Sequence, residues 1–223
     1  MNRLFPVVLL TLLPWFGAGI AGCGSNGKKD KDPRERLRDQ IRTTFEKFRT
    51  AGQENDYRAM YEVVSYESRK RLIFEAILAM GSGAGSKESE QILAKHVNQE
   101  TLKKVAATLK KPTQDQVMDM YMISIADPKT MFIESYEYLQ RFDPNRKNPV
   151  FGELGEIEIV GEVAKSKTRV QATIVTYQKA EKGKEAQRME SKEEREMPVY
   201  FLRENGQWLY ATQKEWNVLT FQE

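Results

Sequence analysis

Two residue types with special chemistry occur once each in this chain, as Cys23 and His96. A thiolate is a strong nucleophile and a metal ligand. A lone cysteine cannot close an internal disulfide, build a cysteine zinc site or hold an iron–sulfur cluster. His96 stands beside Lys95 among solvated residues, with no second histidine three or four positions away. It reads as a surface histidine and not as a ligand. Met118, Met120 and Met122 offer three thioethers in five residues, but within an apolar, helix-length run they read as adaptable core filling. The glycine-rich run Gly81-Ser82-Gly83-Ala84-Gly85-Ser86-Lys87 lacks the Gly-Lys pair of a phosphate-binding loop and follows a helical segment, so it reads as a flexible connector. Asp115, Asp119 and Asp127 lie at or near helix starts, where capping is the plainer role. No G-x-S-x-G, H-E-x-x-H or C-x-x-C occurs. The residues imply no cofactor and no metal. A paired-carboxylate site depends on three-dimensional geometry and stays open at this level.

The elements around Cys23 give its thiol a context. Met1-Asn2-Arg3 is a short positive start. Leu4 to Leu13 is almost wholly apolar, and Pro14 and small residues follow. That is the three-part layout of a secretory signal peptide, which is removed from the mature protein. A permanent transmembrane helix over 4–22 is the alternative. Pro6, Pro14 and three glycines make that stretch a poor helix of spanning length.

Ile20-Ala21-Gly22-Cys23 resembles the lipobox of bacterial lipoproteins: an aliphatic residue, two small ones, then cysteine. The resemblance implies a diacylglyceryl thioether on Cys23, cleavage by signal peptidase II between Gly22 and Cys23, and acylation of the new amino group. One acyl chain binds a membrane marginally, and a second makes the anchor stable. The expectation is a protein held at a membrane through lipidated Cys23, exported, and facing the periplasm or the cell exterior. Gly24 replaces the aspartate that resembles an inner-membrane retention signal in enteric bacteria. That favours the outer membrane where a cell has one.

Residues 24–31 contain no apolar side chain and read as a flexible tether, reaching at most about 28 Å when extended. The rest, 32–223, reads as a single domain, helical over 32–142 and stranded over 150–216. The whole chain has 223 residues, 35 Lys and Arg against 32 Asp and Glu, and a mean hydropathy of −0.62. These values exclude a multi-span membrane protein. The net charge of +3 is too small to indicate nucleic-acid binding.

The helical half follows from periodicity and caps. Asp32-Pro33 starts a helix carrying Leu37, Ile41, Phe45 and Phe48, and Gly52 is expected to end it. Asn55-Asp56 starts a second helix with Tyr57, Met60, Tyr61 and Val64 on one face, broken near Ser65–Ser68. One or two short helices are expected between Ser89 and Leu109. Thr113-x-x-Gln116 is a capping box. Asp127-Pro128 starts a helix that Asp143-Pro144 ends.

The period then changes to two. Ile157, Ile159 and Val163 form one run, with Gly161 as a bulge. Lys165-Ser166-Lys167 reads as a turn, and Thr168 to Gln178 as a strand. Val199 to Leu202, Asn205-Gly206 and Trp208 to Ala211 read as a hairpin. The expectation is a four-stranded antiparallel meander. Lys179 to Glu196, with six basic and six acidic residues, reads as a long solvated hairpin end or loop.

Two or three helices before a sheet ending in Asn-Gly-x-Trp resemble the nuclear transport factor 2-like fold, a cystatin-like cone. The matching residues are the Leu37 to Phe48 helix, Asn55-Asp56-Tyr57 with Met60 and Tyr61, and Val199 to Trp208. The resemblance implies an α+β fold. N-terminal helices would pack on a curved four-stranded antiparallel sheet, with an extra helical insertion at about 86–145. It also implies a pocket between helices and sheet, which Tyr136, Tyr177, Tyr200, Trp208 and Tyr210 would line or pack beneath. The function expected is a non-catalytic binding or interaction module taking an envelope protein or a small ligand. The alternative is a small hydrolase or isomerase with a carboxylate base in the cone pocket.

Overall fold

The computed structural model describes residues 32–82, 86–142, 148–178 and 187–211. The chain divides into Met1–Asp32 and Pro33–Glu223, and the fold below is that of the second unit. It is α+β, with seven helices followed by a five-stranded antiparallel sheet among the described residues.

Helix α1 is Pro33–Glu54, with Ile41, Phe45, Phe48 and Ala51 buried along one stripe. Gly52 does not end it. The helix runs two residues further and closes at Asn55, whose φ of 57° is the left-handed conformation asparagine tolerates at a helix end. A β-carbon at Gly52 would lie 3.6 Å from the Met60 terminal methyl, an ordinary contact, so packing does not require glycine there. Helix α2, Tyr57–Val63, is capped by Asp56, which accepts a hydrogen bond from the Ala59 N–H at 2.9 Å. The break at Ser65–Ser68 is present. Val64 makes a parallel bridge to Tyr210, and the Ser65 N–H donates to the Tyr210 carbonyl at 2.8 Å.

Helices α3 (Tyr66–Ser82), α4 (Lys87–His96), α5 (Gln99–Thr108), α6 (Gln114–Ser124) and α7 (Pro128–Phe142) follow. Ser86 caps α4, Asn98 caps α5, and the Thr113/Gln116 box caps α6. Asp127 accepts from the Thr130 N–H at 3.1 Å at the start of α7. Ile73, Ile77 and Met80 of α3 and Met131, Phe132 and Leu139 of α7 form the centre of one apolar cluster. Met118 is buried, and Met122 packs against that cluster.

The expected four-stranded antiparallel meander is present, with longer strands and a fifth strand added at its start. Strand β1 (Val150–Leu154) was not anticipated, because Gly152 interrupts the alternation of its side chains. That glycine has a packing reason, since a β-carbon there would meet the Arg169 carbonyl at 3.3 Å. Strand β2 is Glu158–Val160, and β3 runs Val163–Gln178. The turn lies at Gly161, with φ of 58°, and not at Lys165–Lys167, which belong to β3. Strand β4, Gln187–Glu204, takes in the second half of the charged segment and pairs in register with β3. Of the two sequence readings, hairpin end or loop, the described part is the hairpin end: residues 190–196 are exposed on a paired strand. Strand β5 is Gln207–Ala211. Asn205 and Gly206 have φ of 51° and 81°, the doubly positive geometry of a tight hairpin. The sheet order is β1-β3-β4-β5, with β2 also on β3.

Ile41, Phe45 and Phe48 of α1 form a second apolar cluster with Ile157, Ala164, Val199, Phe201 and Trp208. Phe45 meets Phe151 and Phe201 edge-on at 6.1 and 6.3 Å. Phe48 stacks on Tyr210 at 4.0 Å. Aromatic rings therefore fill the contact between α1 and the sheet.

Candidate functional site

The five aromatics expected around one pocket are distributed through the fold. Trp208 and Tyr210 come together on the α1 face of the sheet. Tyr200 pairs with Lys165 across the strands and lies on the opposite face from its neighbour Phe201. Tyr136 belongs to the helical cluster, with its ring 4.7 Å from Phe132 and 5.4 Å from Tyr57. Tyr177 lies in β3, and its side chain is outside the described residues, as are Gly22 and Cys23.

Three of the concave surfaces among the described residues bear on function. The first, of about 1060 Å³, runs between the outer side of α1, the start of α2 and β5. Asp39, Glu46, Glu54, Asp56 and Glu62 line it against a single cation, Lys47. Most of these carboxylates already hold a partner. Asp39 accepts from Arg42 at 3.2 Å, Glu46 pairs with Arg49, Asp56 caps α2, and Glu62 pairs with Lys129. The groove is wide and lined by carboxylates whose charge these cations partly offset.

The second, of about 1020 Å³, lies along β1, β2 and β3 and reaches Tyr200. Its charges pair across strands: Lys165 with Glu158 at 2.8 Å and Lys167 with Glu196 at 3.0 Å. Ser166 is buried there, and its hydroxyl has no hydrogen-bond partner. The third, of about 370 Å³, lies between α3 and α6 and is lined by Tyr61, Tyr66, Arg69 and Asp119 among others.

The titratable groups show what chemistry is at hand. His96 is not a surface residue. It is 8% exposed, and its Nε2 lies 2.8 Å from the Glu134 carboxylate on α7. Nothing in the sequence signals this contact between residues 38 apart. Glu134 also accepts from Lys95 at 2.5 Å. The hydrogen bond from Lys95, followed by that from His96, holds the Glu134 carboxyl below the usual range. The Lys129 hydrogen bond does the same for Glu62, and the Thr130 hydroxyl for Asp127. All three shifted carboxyls therefore move down, which makes each a weaker base than a free carboxylate.

Asp119 is not a cap. It sits inside α6 and pairs with Lys70 at 2.5 Å. Lys70 also meets Glu67 at 3.0 Å. Burial lowers the Lys70 ammonium, but its two carboxylate partners outweigh it and leave the group raised. Among the described residues, no group of three His, Cys, Asp or Glu side chains could hold a metal ion. No described helix is long and apolar enough to cross a membrane. Comparison of the chain with protein-family models, curated proteins and solved structures finds no match.

Proposed function

We propose that this protein is an exported lipoprotein, anchored by acyl chains on Cys23, whose α+β body is a non-catalytic interaction module. The observation that carries the reading is Ile20-Ala21-Gly22-Cys23, placed directly after an apolar leader in a chain with no other cysteine. A thiol at that position, beside two small residues, is what lipid transfer and close approach of a peptidase require. Acyl chains contribute about 0.8 kcal/mol per buried methylene, so two or three of them hold the protein stably. The tether then keeps the body near the bilayer, on the periplasmic or outer face. Gly24 after the cysteine favours the outer membrane in a cell that has one.

The body fits the cone-like arrangement of nuclear transport factor 2-like proteins in one respect. A long first helix places Ile41, Phe45 and Phe48 on the same sheet face as Phe201 and Tyr210. The four helices of 87–142 are an addition to that pattern. Aromatic filling of the α1–sheet contact and the downward-shifted carboxyls support binding through the surface over acid–base chemistry within. The acidic groove along α1 is the surface we assign to an envelope partner.

The anchor is tested by Cys23→Ser in the natural host. The variant is expected to accumulate as uncut precursor or to leave the membrane fraction that detergent extracts. A variant processed and fractionated like the parent would overturn the reading.

A further inference from the structure

Residues 69–71 present three consecutive cations, and two of them are matched. Lys70 holds Glu67 and Asp119, and Arg71 holds Glu75 at 2.8 Å. Among the described residues, Arg69 holds no carboxylate. Its guanidinium carbon lies 4.5 Å from the centre of the Tyr61 ring, and its Nε is buried with no hydrogen-bond partner. Glu62 feels its charge, but the Glu62 carboxylate is bonded to Lys129. A guanidinium stacked on a ring and holding no carboxylate suits a planar anion and has less side-chain freedom left to lose.

Arg69 lines the cleft of about 370 Å³ between α3 and α6. Met122, Ile123, Pro128 and Tyr66 supply its apolar surface. Tyr66 and Ile123, 54% and 63% exposed, both lie at this cleft. Asp119 also lines it and is half exposed, so its carboxylate can accept from a second cation besides Lys70. Arg69 and Lys70 balance Glu67 and Asp119, so the local charge is zero. A bare anion would meet Asp119 unfavourably. A zwitterion with an apolar tail matches both the charge balance and the lining.

We propose that this cleft binds a free α-amino acid with an apolar or aromatic side chain. The α-carboxylate takes the Arg69 fork, the α-ammonium takes Asp119, and the side chain rests on Tyr66, Met122, Ile123 and Pro128. The volume lies at the small end of ligand pockets, which is enough for a single residue. The proposal is independent of lipidation and of the groove along α1.

The test is calorimetric titration of the full chain in detergent with three probes: L-phenylalanine, 3-phenylpropionate and phenethylamine. Saturable one-to-one binding of L-phenylalanine is expected, with each probe lacking one charge at least tenfold weaker. Arg69→Gln is expected to weaken L-phenylalanine at least tenfold, and Arg69→Lys to restore only part of that loss. Ile123→Glu alters an exposed side chain and is expected to abolish binding while leaving circular dichroism unchanged. This second variant keeps the proposal testable if Arg69→Gln folds poorly. Absence of saturable L-phenylalanine binding would overturn it, as would binding indifferent to both substitutions. Equal affinity for 3-phenylpropionate would overturn the zwitterion assignment.

Discussion

The contact between α1 and the sheet can be weighed through Phe45. Its side chain is 0% exposed and is met edge-on by Phe151 and Phe201. Truncating a buried phenylalanine to alanine costs about 3–5 kcal/mol, from lost transfer energy and the cavity left behind. The two edge-on ring contacts account for about 0.5–1.5 kcal/mol each of that loss. For a chain of this size, 1 kcal/mol shifts the melting midpoint by about 2–4 °C. Phe45→Ala is therefore expected to lower Tm by roughly 6–20 °C. Phe45→Leu keeps most of the volume and is expected to cost about 1–1.5 kcal/mol. Leu78, 51% exposed on α3, is the control, and Leu78→Ala should stay within about 0.5 kcal/mol of the parent. Urea unfolding followed by far-ultraviolet circular dichroism gives all three values. A loss below about 1 kcal/mol for Phe45→Ala, no larger than the exposed control, would refute the seating of α1 on the sheet.

Four further outcomes follow from single residues. Lys70→Ala removes the cation that Glu67 and Asp119 share and is expected to cost about 1–2 kcal/mol, less than a fully buried pair because both acids are half exposed. Urea denaturation at pH 7 measures it, and a neutral result would show the triad to be idle. Glu134→Gln is expected to cost about 1 kcal/mol at pH 7. The folded carboxyl titrates below its unfolded value, so its contribution is full above the ordinary carboxylate range and is lost as pH falls through the folded value. The Tm gap between parent and variant should therefore be present at pH 7 and close below about pH 4, and a gap that widens in acid would reverse the assigned sign. Gly206→Ala places a β-carbon at φ of 81° and is expected to cost about 1–2 kcal/mol, read by thermal melting. Gly81→Ala in α3, which meets nothing within 4 Å, should be neutral or slightly stabilising by the same measurement.

What the chain discloses of its fold tracks how local the cause is. Asp56, the Thr113/Gln116 box and Asn205-Gly206 act within four residues of themselves, and each stands where its spacing predicts. The α1 stripe is equally plain, because one apolar face at helical period needs a single partner surface. Strand pairing is different. Lys165 to Lys167 look like a turn, yet their backbone pairs with Pro198 to Tyr200 while the lysines point to solvent and to distant acids. The same holds for Lys192 to Glu196, whose strand state is set by β3 across the ladder. His96 with Glu134, and the Arg69 cleft, join residues tens of positions apart on different helices. No composition or period encodes such meetings. The sequence singles out Cys23 because the motif there is local, whereas clefts and inter-helix contacts are visible only in the structure.

The account rests on the modification of that cysteine. The most direct measurement is mass spectrometry of the N-terminal peptide of the mature protein from its own host. The expected result is a chain that begins at Cys23 and carries a diacylglyceryl thioether, with or without an amide-linked acyl chain. A mature chain that begins elsewhere, or a Cys23 that keeps a free thiol, would contradict the account.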